Sequence, residues 1–516
     1  MGLDLSALSR QVRAMSGSLA GEASDKQERQ SLALGRYLEE ADEHAAWAQA
    51  ADLSRETAAW LLARPVEPLN AIYDLPARPR DYALIATDGS QIDVERHGMA
   101  ACYVINVGRV YLRYGARPAA RLSARPTLYY RDEDLYLSDG VRRIPIEGNY
   151  LSAKRDIEEG LALAELADEF LSADSADSRG YRQATSGPTR ENPRESTNAD
   201  EFRSADDADL RGYEQLTFGV RHPIRENPRE SADSIDPREG KQTRPDRPEP
   251  IRVNPRASAD STDPREDKQT RPDRPEPIRV NPRESADQIP AIALQDGTLV
   301  RWTLAGAEKF VQEQFLRPYL AYLDQMRTRA IPVASYISRP RAPEVAGTIR
   351  LMLCPDVDVA AGRGANCSEC SDAAAGRTPS CYACQGLTDA DILADMLSDG
   401  QRGPLFVSMS RINVEAYGPH LIHFFYMRVG REVARVELPR WVAEDRAAVD
   451  LLHTLIYDQC MKGQGYPVAL ARAHEQAIVR AADRRAFLSI VEGSLLRAEL
   501  PASDSRKRES KDRQAL

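Results

Sequence analysis

The chain has 516 residues, enough for two or three domains, and is 42% hydrophobic and 29% charged. Its 69 Lys and Arg against 79 Asp and Glu give a formal net charge of −10, which excludes a uniformly basic nucleic-acid coat but leaves room for a local basic groove. No run approaches the ~20 consecutive apolar residues of a membrane span, and "MGLDLSALSRQVRAMSG" has neither a signal-like apolar stretch nor a cleavage site. The seven cysteines are clustered, which argues against a secreted disulfide framework. The expectation is a cytoplasmic protein with no membrane contact.

Residues 1–75 read as an N-terminal helical arm, used for packing or dimerisation. Leu5, Leu8, Val12 and Met15 recur at helical spacing, and "DLSRETAAWLLARPVEPL" predicts a second helix ending before Pro65. Residues 76–171 form the first part of a core domain. There "YALIAT", "AACYVINVG", "RVYLRYG" and "TLYYRDEDLYL" predict short strands of an antiparallel meander. The helix "LSAKRDIEEGLALAELADEFL" follows, with an apolar stripe through Ile157, Leu161, Leu163 and Leu166.

Over 172–288 aliphatic residues nearly vanish, and "DPREGKQTRPDRPEPIRVNPR" from Asp236 recurs almost unchanged from Asp263. No repeat unit carries a hydrophobic face to stack, and the frequent prolines oppose helix and sheet, so the segment reads as a long disordered insertion. The core resumes over 289–495 with the strand "IPAIALQDGT", a helix through "AGAEKFVQEQFLRPYLAYLDQMRTR" and the strand "IPVASYI". A cysteine-rich insert at 353–388 precedes the strands "LFVSMS", "LIHFFYMRV" and "EVARVEL". The last helix is "YPVALARAHEQAIVRAADRRAFLSIVE", with Pro467 suited to its first turn, and 496–516 reads as a disordered charged tail.

Two aspartates stand out. Asp88 and Asp296 each end an apolar strand just before a Gly-Ser or Gly-Thr step, where glycine lets a metal or phosphate approach the backbone. One Asp-Gly pair is an ordinary turn; two, on strands either side of the insertion, suggest a shared carboxylate site. Two-metal phosphodiester hydrolysis needs several oxygen ligands from different elements around ions about 3.5–4 Å apart. "KRDIEEGLA" adds Glu158 and Glu159, and "AHEQA" adds His474 beside Glu475. Taken singly, the glutamates suit an exposed helix face and the histidine a core position. An imidazole among carboxylates favours Mn²⁺ over Mg²⁺, although Mg²⁺ fits too.

The cysteines give a second pattern. Cys367-x-x-Cys370 and Cys381-x-x-Cys384 are two paired knuckles of the kind that hold a structural Zn²⁺. An iron–sulfur cluster or free thiols are the alternatives. Cys354 lies nearby, while Cys102 and Cys460 read as small buried hydrophobes.

Taken in order, "IATDGSQIDVERHG", "ALQDGTLVRW", "VASYISRP", "HFFYMRVGREVARVELPRWVA" and "DQCMKGQGYPVALARAHEQAIV" resemble the NurA nucleases, partners of the hexameric HerA ATPase in DNA end processing. The resemblance runs from about Trp60 to Glu492, the insertion excluded. It implies an α/β fold with an RNase H-like mixed sheet, to which this chain adds the helical arm, the zinc-knuckle insert and the disordered insertion. It also implies a toroidal homodimer acting with Mn²⁺ on single-stranded or resected DNA, as a single-strand endonuclease and 5′–3′ exonuclease, with a HerA-like hexameric ATPase in end resection and repair. Carried over residue by residue, Asp88, Glu159, Asp296 and His474 hold the metal, and Thr298 replaces the family's serine. Glu158, one residue away, stays open as the helical ligand. Tyr336 matches a tyrosine that orients a phosphate or the leaving group, and Arg339 and Arg341 are candidate phosphate contacts.

The insertion departs from the family pattern between Glu159 and Asp296, but loop-closure cost grows only slowly with length. A catalytically inactive DNA-binding partner of a HerA-like ATPase is the rival reading, and retention of all four metal residues favours the enzyme. A ribonuclease on RNA–DNA hybrids is a third possibility that fold alone does not reject.

Overall fold

A computed structural model describes residues 4–93, 100–185 and 289–498. The insertion predicted at 172–288 lies outside the described residues from 186 onward, and the tail lies outside them from 499 onward. Among the described residues no helix is long and apolar enough to cross a membrane.

The arm opens with α1 (Leu5–Glu39), whose first half leaves Leu5, Leu8, Val12 and Met15 exposed while Ala33 and Tyr37 near its end are buried. Helix α2 (His44–Ser54) stops where the second helix was predicted to get under way. Trp60 to Ala63 lead instead into strand β1 (Ala63–Pro65), because the Ala63 backbone is bonded on both sides by the Thr348 hydroxyl, and Leu62 O accepts from Met409 N. Tertiary pairing here overrides local helix propensity.

Strands β2 (Tyr82–Ile92), β3 (Tyr103–Tyr114) and β4 (Ala119–Tyr129) form the predicted antiparallel meander. Two predictions within it change. The break expected at Gly108 is absent and β3 runs through it; the last predicted strand instead stops at Tyr129 and turns through α3 (Asp132–Leu135). Asp134 Oδ2 accepts from Arg131 N there, satisfying the amide ahead of the helix. A small hairpin of β5 (Tyr136–Ser138) and β6 (Arg143–Pro145) leads to α4 (Asn149–Thr185), which continues past the boundary predicted at 171.

After β7 (Ala291–Asp296) come α5 (Lys309–Thr328), β8 (Val333–Ile337) and α6 (Glu344–Met352). The cysteine segment holds the short helix α7 (Ser371–Ala374), and α8 (Asp389–Leu393) follows it. Then follow β9 (Phe406–Ser408), α9 (Arg411–Ala416), β10 (Ile422–Val429) and β11 (Glu432–Pro439). The chain closes with α10 (Arg440–Ala443), α11 (Arg446–Lys462), α12 (Val468–Ala477) and α13 (Ala481–Arg497). The single last helix predicted from sequence is therefore two. At the end of α12 the Ala477 carbonyl accepts from Ser90 and Asn106 side chains, and Ile478 turns out of helical geometry with ψ 124°.

A nine-stranded mixed sheet results, ordered β1-β9-β10-β11-β8-β7-β2-β3-β4. Strands β2, β7 and β8 run parallel, and the other pairings are antiparallel. The parallel trio is buried on both faces, as parallel strands require. Ala83, Ile85 and Ala293 pack with Ile157, Phe170, Phe315 and Tyr319 of α4 and α5. The alternate residues Leu84, Ala86 and Leu294 pack with Leu452, Ile456 and Leu470 of α11 and α12. Each such large side chain contributes about 1.5–3 kcal/mol by leaving water, which fixes the helices over the strand ends.

Candidate active site

The register of β2 and β7 pairs Thr87 with Gln295, so the next residues, Asp88 and Asp296, stand side by side on adjacent parallel strands. Each carboxylate is held by the amide that follows it: Gly89 N donates to Asp88 Oδ1 at 2.8 Å, and Gly297 N to Asp296 Oδ1 at 2.9 Å. Asp88 is not in a turn, because β2 continues to Ile92 and pairs Asp88 with Gly108.

The glycines explain what meets the strands here. A Cβ on Gly108 would stand 2.1 Å from Ala473 O, so α12 rests its backbone directly on β3. That seat brings His474 Nδ1 to 2.7 Å from Asp88 Oδ2. Opposite, a Cβ on Gly89 would stand 2.5 Å from Glu159 Oε1, so the missing side chain is what lets Glu159 of α4 reach β2. Thr87 Oγ1 donates to Glu159 O at 3.0 Å, and Gln295 Nε2 lies 3.5 Å from Glu159 Oε2. Behind them Tyr322 donates to Gln295 Oε1 at 2.9 Å, and Arg155 Nε pairs with Glu159 Oε1 at 3.2 Å. The structure thus brings Glu159 to the aspartates, whereas Glu158 pairs with Lys154 at 3.1 Å. Glu475 pairs with Arg472 on the exposed side of α12.

The electrostatics follow from this crowding. Burial raises the Glu159 carboxyl well above the usual range, reinforced by Asp156 and Asp88 and opposed by Arg155 and Arg301. Burial also raises Asp296, with Asp88 adding to it and the Tyr466 hydrogen bond working against it. The Asp88 charge thus bears on both Glu159 and Asp296, an excess of negative charge that a divalent cation would relieve. Each now has its own partner, and among the described residues no three His, Cys, Asp or Glu side chains form a group that could hold a metal.

Tyr336 does not take the role the resemblance gave it. It pairs in register with Asp296, but its ring is fully buried, with its hydroxyl beside Cys460, out of reach of a phosphate. The tyrosine at the carboxylates is Tyr466, whose hydroxyl donates to Asp296 Oδ1 at 2.8 Å. Its ring stacks edge-on against Tyr336, with centroids 5.6 Å apart. Its sequence signal was the Gly-Tyr-Pro that opens α12, read above only as a helix start. Arg339 is exposed, with φ +45°, and its backbone amide donates to Glu432 rather than facing the aspartates.

Over residues 82–479 the sequence matches the family model of the NurA domain. The chain belongs to the NurA family. NurA is a nuclease family, and membership implies interaction with nucleic acid. No curated protein and no solved structure matches the chain. The NurA match takes in Asp88, Glu159, Asp296, Tyr466 and His474, while α1, α2, β1 and α13 lie outside it.

Within the NurA match the cysteine segment packs against α1 and α6. Cys381 and Cys384 are buried, and burial pushes the Cys384 thiol up to about 11. Cys367 Sγ accepts from Ala59 N at 3.3 Å, and Arg350 Nη2 approaches Cys381 Sγ at 3.9 Å. The four sulfurs of the two knuckles are not gathered into one coordination group. Cys102 and Cys460 are buried.

Proposed function

We propose that this NurA-family protein is a Mn²⁺-dependent DNA nuclease that hydrolyses phosphodiester bonds at Asp88 of β2 and Asp296 of β7. One observation carries the reading: Asp88 and Asp296 stand side by side on the parallel strands β2 and β7, with His474 against Asp88 and Glu159 against Gly89. Asp88, Glu159, Asp296 and His474 would hold the metal, and the imidazole favours Mn²⁺ over Mg²⁺. A Mn²⁺ ion held there would supply the Lewis acidity for activating a water and offsetting charge on the phosphate. The chain's own part is orientation. His474 is keyed to Asp88, Tyr466 to Asp296, and Gln295 with Arg155 steadies Glu159.

The strand order β4-β3-β2-β7-β8, a meander followed by two strands parallel to the first, supports the RNase H-like reading. Single-strand endonuclease and 5′–3′ exonuclease action, the HerA-like partner, the homodimer and a place in DNA end repair rest on the family resemblance. Structural zinc rests on cysteine spacing alone; metal analysis of the purified protein tests it, with zinc present in the wild type and lost on Cys381→Ser.

The deciding experiment compares wild type and Asp88→Ala on end-labelled single- and double-stranded DNA with Mn²⁺, Mg²⁺ or EDTA. Cleavage should need the metal and fall by at least about a hundredfold in the variant, the scale of removing one electrostatic catalytic group. A folded wild type that binds DNA yet cuts nothing, even with its ATPase partner added, would sink the proposal. The inactive DNA-binding partner would then be the better description.

A further inference from the structure

Two residues beyond Asp296 the chain enters an open pocket of about 250 Å³, lined by Thr298, Trp302, Arg341, Glu344, Arg435 and Glu437. Three of these are charged and almost fully buried: Arg435, Glu344 and Glu437. Arg435 Nε bonds Glu437 Oε1 at 2.8 Å, and its Nη1 bonds Glu344 Oε2. Glu437 Oε2 accepts from Thr298 Oγ1 at 2.9 Å and from Leu299 N at 2.7 Å.

A buried ion-pair triad alone is weak evidence of anything beyond structure. This one has a cavity opening on it, with the half-buried Trp302 and the exposed Arg341 on its walls. Arg435, Glu344 and Glu437 are almost fully buried and bonded to one another, so the triad braces the pocket floor while apolar side chains form most of its surface.

We propose that this pocket receives one unstacked nucleobase of the substrate strand, beside the phosphodiester at Asp88 and Asp296. The inference rests on the DNA-nuclease reading and deepens it. The volume is below the roughly 300–1,000 Å³ of drug-sized sites and suits a single heterocycle. Trp302 supplies a face for stacking, the main sequence-tolerant contact to single strands. Arg341 supplies charge for the flanking phosphate.

The test walks a single abasic residue along a single-stranded oligonucleotide of fixed sequence. Cleavage efficiency is measured with Mn²⁺, and equilibrium binding separately by fluorescence anisotropy in EDTA. In the wild type one position should lose about tenfold in both, the scale of one lost stacking contact. Trp302→Ala should abolish the position dependence. Since Trp302 also packs on the core, Ala342→Phe, which fills the pocket from its half-buried wall, must do the same.

Cleavage with an even loss at every position, or a position-specific loss that survives both variants, overturns the pocket and leaves the nuclease reading standing. Position-specific binding without cleavage, erased by both variants, supports the pocket and removes the nuclease. A wild type that binds no single strand overturns the pocket.

Discussion

Asp88-Gly89-Ser90 and Asp296-Gly297-Thr298 are nearly the same tripeptide, and they reach one site by different routes. The first lies inside a strand and the second ends one. Both aspartates take the following amide as a hydrogen-bond donor. The glycines differ in purpose. Gly297 has φ +75° and open space around it, so it is there for its backbone. Gly89 pairs within the sheet and has Glu159 and Arg155 pressed against it, so it is there for the room it leaves. The hydroxyls part as well, Ser90 tying β2 to Ala477 at the end of α12 and Thr298 donating to the buried Glu437. A shared motif therefore says where a carboxylate sits, and the neighbours say what the glycine beside it is for.

The comparison breaks most severely on the Asp88 side. Gly108→Ala sets a Cβ 2.1 Å from Ala473 O and 2.8 Å from Ala477 N, backbone atoms that cannot swing aside. Overpacking of this kind costs about 1–3 kcal/mol or more. Because α12 carries His474, denaturant unfolding and cleavage should both suffer; an unchanged urea midpoint would mean that α12 does not rest on β3.

Gly89→Ala meets only side chains, Glu159 Oε1 at 2.5 Å and Arg155 Cγ at 2.7 Å. They can move, so stability should change less than in Gly108→Ala. Glu159 would nonetheless leave its place, and a displacement of about 1 Å in a catalytic arrangement costs on the order of a hundredfold in rate. Full activity in a folded Gly89→Ala protein would take Glu159 out of the site.

Much of this site is legible in the sequence, and what is not has identifiable reasons. Asp88 and Asp296 stand out because a polar acid and a glycine interrupt apolar strands, and His474 because an imidazole follows a clear helix start. The continuation of β2 past Asp88 is hidden, since Asp-Gly has turn propensity and only pairing with β3 holds it extended. Tyr336 and Tyr466 are indistinguishable as letters. Their roles separate once β8 turns Tyr336 into the core and the start of α12 hangs Tyr466 over it. Helix α11 was readable yet unread: Asp445 caps it, accepting from Ala447 and Ala448, and Val449, Leu452, Leu455 and Ile456 form its buried stripe. Cysteine spacing fixes only how far apart two thiols can be along the chain, and the packing of Ser380–Cys384 against α6 and α1 decides whether four of them meet.

On the Asp296 side the expected effects shrink. Gly297→Ala places an L-residue at φ +75° with nothing to clash against, so the cost is backbone strain of about 1–2 kcal/mol, read as a lower urea midpoint. Cleavage at a temperature where the variant stays folded should remain near that of the wild type. A collapse of activity as deep as in Gly89→Ala would mean that the two glycines do the same job after all.

Ser90→Ala is the mildest change and the sharpest check on how α12 is fastened. The Ala477 carbonyl also accepts from Asn106 Nδ2 at 2.8 Å, so losing the serine leaves it partnered. The cost should stay at or below about 1 kcal/mol, the net worth of one ordinary hydrogen bond. In Ser90→Ala with Asn106→Ala the carbonyl loses both side-chain donors, and the combined loss should exceed the sum of the single changes by more than the ~0.3–0.5 kcal/mol scatter of independent sites. Strict additivity would show that Gly108 alone seats the helix, and that the serine of this Asp-Gly-Ser contributes nothing to placing His474 beside Asp88.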